Sequence, residues 1–234
     1  MLVFLRVFFC AVWSIFWISL SLIIYLFTFR TAIPVAMARS CWAPGILWAF
    51  RIRIEKSGME VIERDKPYVF VCNHQSYLDI PILFRAIPAN LYFVAKKELR
   101  IIPFLGWYMM ATGMIFIDRS NRKKSMESLK RSAKLINQGK SVLMFPEGTR
   151  TVDHQIAHFK KGPFILSKEA NVPILPIGIR QTGKSFTWGK WSSTQMVVSV
   201  SAPITCDGSA EVVEQVREKV ALLANKPVAS LTGG

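Results

Sequence analysis

The 234-residue chain carries 30 Lys and Arg against 15 Asp and Glu, a formal charge of +15. That length suits one sizeable domain with an appended element, and the charge points to a polyanionic partner: nucleic acid, an anionic membrane face or a phosphorylated substrate. The four cysteines, Cys10, Cys41, Cys72 and Cys206, have no CxxC or metal-ligand spacing, which gives no disulfide framework and fits reduced thiols in a cytoplasmic setting.

Residues 7–29 are 23 consecutive positions without a charge, rich in Phe, Ile, Leu and Trp. As a helix this run is about 34 Å long, against roughly 30 Å of bilayer hydrocarbon. It is too long for the apolar core of a signal peptide, and it ends well before the nearest small-residue cleavage pattern at 36–38. A membrane anchor is therefore expected. Residues 31–50 are apolar but interrupted by Pro34, Arg39, Pro44 and Gly45, so an interfacial or half-inserted helix is expected there, with Trp42 and Trp48 at headgroup level. Only Arg6 precedes the apolar run, whereas Arg30, Arg39, Arg51, Arg53 and Lys56 follow it. That bias places the following domain on the cytoplasmic side of the membrane.

Past residue 50, strand-like and helix-like runs alternate. Strands are predicted at 51–57, 68–73, 90–96, 114–118, 141–145, 174–180 and 196–202. Helices are predicted near 80–87, 98–111, 122–138, 160–170 and 209–224. In the third of these, Met126, Leu129, Ala133 and Ile136 form one apolar stripe, and Lys123, Lys124, Lys130, Arg131 and Lys134 occupy the other faces. The pattern is that of an α/β fold, a mixed, largely parallel sheet covered by helices. Two parts result: a membrane-embedded helical segment, residues 1–50, and an α/β domain, residues 51–234. With a membrane anchor and no aromatic-interleaved stacking motif, nucleic acid drops out as a partner.

The stretch NHQSYLD, residues 73–79, follows a strand and precedes a helix. On a continuous helix His74 and Asp79 point about 140° apart, but a strand-to-helix turn can fold one onto the other. Asp79 would then fix the imidazole tautomer, and His74 would take a proton from a substrate hydroxyl that attacks a carbonyl. The competing reading makes Asp79 an ordinary N-cap before Pro81, or the far end of a capping box begun by Ser76. No GxSxG elbow occurs, so direct acyl transfer to an alcohol fits better than a covalent serine hydrolase.

A second stretch, FPEGTR at 145–150, also follows a strand. Pro146 stops the strand, Gly148 permits a turn or a close approach to ligand, and Arg150 offers a charged planar fork suited to phosphate. Its plain alternative is a turn with a surface Glu147–Arg150 pair. Two other motifs belong to different functions. GIRQTGKS, 178–185, matches the phosphate-loop pattern GxxxxGK[ST], but no helical pattern follows it. His154 and His158 have an i, i+4 spacing without the accompanying glutamate of a zinc site, so no metal is expected. A basic membrane protein that merely recruits anionic lipid would explain the charge and the anchor but leave His74, Asp79 and FPEGTR without a purpose.

In order, NHQSYLD, the run 96–119, FPEGTR and VPILPI (172–177) resemble the glycerolphosphate acyltransferase family, in particular its membrane-bound bacterial branch acting on 1-acylglycerol-3-phosphate. The resemblance covers about residues 65–180. It implies that His74 is the general base and Asp79 its orienting carboxylate. It further implies that Lys97, with Lys96 as an equal candidate, and Arg119 help hold acceptor phosphate. Glu147, Gly148 and Thr149 are implied in acceptor binding, and Arg150 on its phosphate. The implied reaction moves a fatty acyl group from acyl-CoA or acyl carrier protein, with no other cofactor, to the sn-2 hydroxyl of lysophosphatidic acid, giving phosphatidic acid. Partners would be membrane lipids of an anionic leaflet and the acyl thioester. One departure stands out: after FPEGTR the chain reads TVDHQIAHFKKG in place of a serine and a basic, Gly-rich loop. This leaves another lysolipid open as acceptor, with Lys160 and Lys161 as alternative sources of charge.

Overall fold

Seven strands make one sheet in the order β1-β7-β6-β2-β5-β3-β4. A computed structural model describes residues 1–63, 65–118, 120–150, 155–182 and 193–229. The strands are β1 (Ile52–Ser57), β2 (Val69–Cys72), β3 (Leu91–Lys96), β4 (Ile115–Ile117), β5 (Ser141–Met144), β6 (Ile174–Thr182) and β7 (Thr194–Val200). All seven coincide with predicted runs. β2 to β6 run parallel to one another, β7 is antiparallel to β6, and β1 is parallel to β7. β2 sits near the middle of the sheet and is buried along its whole length, which is why its sequence is continuously apolar rather than alternating.

Helices α4 (Asp79–Ala86) and α5 (Leu105–Thr112) pack with the N-terminal segment on one side, and α6 (Arg122–Ile136), α7 (Gly162–Ala170) and α8 (Ala210–Ala224) form the other cover. The α6 stripe behaves as its period requires: Leu129, Ala133 and Ile136 are buried, and the five basic residues are exposed. The helix predicted over 98–111 is broken in two. A 3₁₀ turn covers Lys97–Ile101, and Ile102 is extended (φ −72°, ψ 120°) because the following Pro103 disfavours helical backbone there. Phe104 then takes φ 61°, ψ −60°, and the Leu105 N–H donates to the Pro103 carbonyl at 2.7 Å. This is a γ-turn of positive φ, a strained form for a residue with a side chain.

The N-terminal segment folds back on itself. α1 (Leu2–Thr28) ends at Phe29 in the left-handed region, and the chain returns through α2 (Ala32–Met37), a π-helical stretch (Ala38–Trp42) and α3 (Ala43–Ala49). Trp13 Nε1 donates to the Trp42 carbonyl and Trp42 Nε1 donates to Ser14 Oγ, each at 3.0 Å. A Cβ on Gly45 would collide with the Trp13 indole, so the glycine lets the two arms approach. The returning arm lies against the domain along its length. Tyr108 Oη of α5 donates to the Pro34 carbonyl at 3.1 Å, and Trp42 meets Phe84 of α4 edge-on at 6.0 Å. Trp42 is thus a packing residue, while Trp48 remains exposed. Arg6 sits over the Phe50 ring at 5.4 Å, so both ends of the hairpin lie together. Arg6 and Arg51 therefore belong to the same end, not to opposite sides of a span.

β6 runs without interruption through Gly178, Arg180 and Thr182, so the first five residues of GIRQTGKS are paired strand instead of a phosphate loop; Gly183, Lys184 and Ser185 lie outside the described residues. A Cβ on Gly178 would collide with Leu223 of α8, which gives that glycine a packing purpose. His154 also lies outside the described residues, and His158 Nδ1 meets Arg217 Nη1 at 3.3 Å.

Candidate active site

The carboxyl ends of β2, β3, β4 and β5 open on one edge of the sheet, where loops of an open α/β sheet hold their ligands. β2 hands over to Asn73, which is 1% exposed. Its amide donates to the Ile179 carbonyl at 3.0 Å and accepts from the Ile179 N–H at 2.8 Å. The side chain thus continues the β2–β6 ladder by one rung and fixes where the strand stops.

His74 comes next. Its backbone N–H donates to Glu147 Oε1 at 3.0 Å. Its ring stacks on Phe145, centroids 3.9 Å apart. Nδ1 lies 2.8 Å from Asp79 Oδ2, and that oxygen also accepts the Gln75 and Ser76 backbone N–H groups at 2.7 and 2.9 Å. A carboxylate accepts and does not donate, so Nδ1 carries the ring proton and Nε2 is left as the basic nitrogen. Nε2 has no partner among the described residues, and the His74 side chain is 19% exposed.

Asp79 is the first residue of α4 and 2% exposed, where the positive end of the helix favours a negative group. Asp79 is not the N-cap, a position held by Leu78 without a side-chain cap bond, but the capping-box contact and the histidine contact do share one atom. Its Oδ2 takes the Ser76 N–H, half of a capping box, and orients His74 as well. Ser76 Oγ is committed to its own turn, accepting the Leu78 N–H at 3.1 Å.

Glu147 is 5% exposed, with Oε1 on the His74 N–H and Oε2 on the Ala157 N–H at 3.2 Å. The carboxylate is a clamp between the His74 turn and the 155–157 segment. Gly148 (φ 78°) lies beneath Lys160, whose ammonium occupies the space a Cβ would need. Arg150 does not pair with Glu147. Its guanidinium stacks on the Tyr77 ring, with Cζ 3.5 Å from the centroid, which holds a cation beside the histidine turn. Thr149 and Lys96 are exposed on the same edge.

Lys97 stands apart, roughly 10 Å across the sheet by strand spacing. Its Nζ is 2.8 Å from Asp118 Oδ2. The Lys97 ammonium, aided by Ser120, lowers Asp118 to about 2. The pair is therefore intact above about pH 4 and is lost only as pH falls from there toward 2. Arg119 lies outside the described residues. Lys226, after α8, is a further cation of this edge: burial pushes its ammonium down while the carboxylates of Glu147 and Asp79 pull it up. Asn73, Tyr77, Phe145 and Lys226 were not legible as site residues, since each acts through contacts between distant stretches of chain or inside a turn.

Residues 53–180 match the sequence profile of a family described as Acyltransferase. The chain belongs to that family. Among its relatives, 1-acyl-sn-glycerol-3-phosphate acyltransferase of Saccharomyces cerevisiae is 36% identical over 165 residues, covering 66% of this chain and 54% of that protein. The enzyme of the same name from Haemophilus influenzae is 33% identical over 141 residues, 60% of this chain and 59% of that one. The human alpha form is 34% identical over 167 residues, 70% and 59%. The match spans little more than half of each relative's own length. The crystal structure of the 1-acyl-sn-glycerophosphate acyltransferase PlsC from Thermotoga maritima superposes with a TM-score of 0.77, over 96% of this chain and 93% of that one, at 24% identity. That likeness shows the acyltransferase α/β fold, with the long apolar N-terminal helix and mostly parallel seven-stranded sheet described above.

Proposed function

We propose that this acyltransferase moves a fatty acyl group from a thioester, acyl-CoA or acyl carrier protein, to the sn-2 hydroxyl of lysophosphatidic acid, giving phosphatidic acid. The observation that carries the reading is the His74–Asp79 pair, with Nε2 unpartnered among the described residues. Nε2 takes the proton of the acceptor hydroxyl as its oxygen attacks the thioester carbonyl carbon. The carbon–sulfur bond then breaks, and the proton passes from the imidazolium to the departing sulfur, so the site returns to its starting state. Holding both substrates on one edge makes the attack effectively intramolecular and removes several kcal/mol of barrier, on the order of 7 or more where alignment is good. The names of the relatives support lysophosphatidic acid as acceptor.

Arg150, poised on Tyr77 of the histidine turn, and Lys160, lying over Gly148, would take the acceptor phosphate. Lys97 would contribute by giving up its bond to Asp118. Glu147 acts here as a positioning residue. The apolar hairpin places the protein at a membrane, which we assign to the cytoplasmic face of the inner membrane from the basic residues at its root.

The direct test is purified protein with labelled acyl-CoA and a panel of lysolipids. The reading expects lysophosphatidic acid to be acylated in preference to lysophosphatidylcholine and lysophosphatidylglycerol. Preference for a neutral headgroup would replace this acceptor. Arg150→Ala is expected to raise the acceptor KM about ten-fold or more, the loss of a charge-assisted contact, with a smaller change in kcat. An unchanged acceptor KM would take Arg150 off the phosphate.

A further inference from the structure

We propose that residues 101–110 form a second membrane contact, a rigid apolar tip that inserts into the headgroup region of a phospholipid bilayer beside α1. The inference depends on α1 lying in the membrane and stands whether or not the chain transfers acyl groups.

Ile101, Ile102, Phe104, Leu105, Trp107 and Met110 are exposed, with Ile101 at 83% and Trp107 at 50%. A soluble surface seldom groups so many large apolar side chains. In α5, Gly106, Met109 and Thr112 face inward, so the helix has a proper buried side and a second apolar side left over. That second side is continuous with the anchor, because α5 packs on α1 and α2 and Tyr108 bonds to the Pro34 carbonyl. α1 itself is exposed through Phe4, Phe8, Phe16 and Phe27. The base of the tip carries exposed Lys96 and Arg100, with Lys97 paired to Asp118 and Glu98 beside it, which leaves the rim net positive. Apolar and Trp side chains ahead of a basic collar are the arrangement that suits an anionic lipid surface, not a protein groove.

The backbone keeps the tip from collapsing onto the domain. Phe104 is held in its positive-φ γ-turn by the Leu105-to-Pro103 bond, and the Gly106 N–H donates to the Ile102 carbonyl at 2.7 Å. A Cβ on Gly106 would collide with the Arg100 carbonyl oxygen. A strained turn locked this tightly persists because its surroundings over-determine it. Here the result is a fixed projection of Ile101 and Phe104 into the solvent side. The segment leaves from the end of β3, the same edge that bears His74, so an inserted tip brings the bilayer surface to the mouth of the site.

The experiment uses the full chain in liposomes containing anionic phospholipid. Cys10, Cys41 and Cys206 are replaced by alanine; Cys72 can stay, because it is fully buried and burial pushes its thiol well up. An environment-sensitive fluorophore is placed at Ile101→Cys, with Trp107→Cys as a second position, Phe16→Cys on α1 as the lipid reference and Gln215→Cys on α8 as the water reference. Spin-labelled lipid and aqueous iodide are then compared as quenchers. The lipid-to-iodide quenching ratio at 101 and 107 is expected to exceed that at 215 by about five-fold or more and to approach that at 16, as for an interfacial segment. Iodide quenching at 101 equal to that at 215 overturns the proposal. Shielding at 101 from both quenchers also overturns it, since a second copy or another protein would then cover the tip. If position 16 is itself open to iodide, the anchor reading fails and the tip's with it.

Discussion

Replacing His74 with alanine is expected to lower kcat by about a hundred- to ten-thousand-fold, the range supplied by a positioned general base. The acceptor KM should change little, because the cations that would hold its phosphate sit on other turns. The effect follows from geometry. Nδ1 is tied to Asp79 Oδ2 at 2.8 Å, and the ring is pinned against Phe145 at 3.9 Å. The ring is therefore already held in place and needs no reorganisation when substrate arrives. Single-turnover measurement with saturating acyl donor separates this step from product release. Turnover near the wild-type value would remove His74 from the chemistry, whatever its neighbours do.

Glu147→Ala carries the largest expected effect on stability. Both carboxylate oxygens accept backbone N–H groups in a buried position, from His74 and from Ala157. Bonds to a charged acceptor are worth about 1.5–3 kcal/mol each, and here both donors would be left behind without it. A loss on the order of 3–5 kcal/mol is expected, which for a chain of this size lowers Tm by roughly 10 °C. Turnover should fall together with stability, because the same bond that holds the loop also sets the height of the histidine turn. Glu147→Gln keeps one acceptor but turns an NH₂ toward the other backbone donor, so it should lie between. A thermal-shift series on the two variants gives the order, wild type above Gln above Ala. If alanine leaves both Tm and turnover unchanged, the clamp has no energetic role.

The strands were legible because β1 alternates apolar and charged residues and most of the others are short apolar runs beside Gly, Pro or Asn, and the buried β2 and β5 lack alternation for the reason that both faces are covered. The His74–Asp79 pairing was legible too. A five-residue spacing across a strand-to-helix junction has few ways to close, and the apolar run before it and Pro81 after it fix that junction. What stayed hidden depends on residues far apart in sequence. The Asn73 rung needs Ile179, 106 positions away, and the Glu147 clamp reaches back 73 positions. Neither partner leaves a local signal, so the residues by themselves offered only a surface pair for Glu147, which is buried while Arg150 stacks on Tyr77. The return of the hairpin was hidden for a related reason. Hydropathy reports that residues 7–29 are long enough to cross a bilayer, but only the Trp13–Trp42 interlock and the contacts of Pro34 and Trp42 with α5 and α4 reveal that the second arm is bound to the domain. The split of the 98–111 helix was within reach, since Pro103 forbids helical backbone at Ile102, but the γ-turn that results is not.

The reversal of β7 has a consequence for how the two parts of the chain meet. β1 runs alongside β7, so it starts where β2 to β6 finish: Ile52 pairs with Thr194, and Gln195 in turn faces Thr182 at the far end of β6. Had every strand run one way, the root of the hairpin would emerge at the floor of the sheet, a strand's length from His74. With β7 turned over, the greasy arms are stitched to the domain at the rim instead, on the same side of the sheet as the strand ends that carry His74 and Phe145.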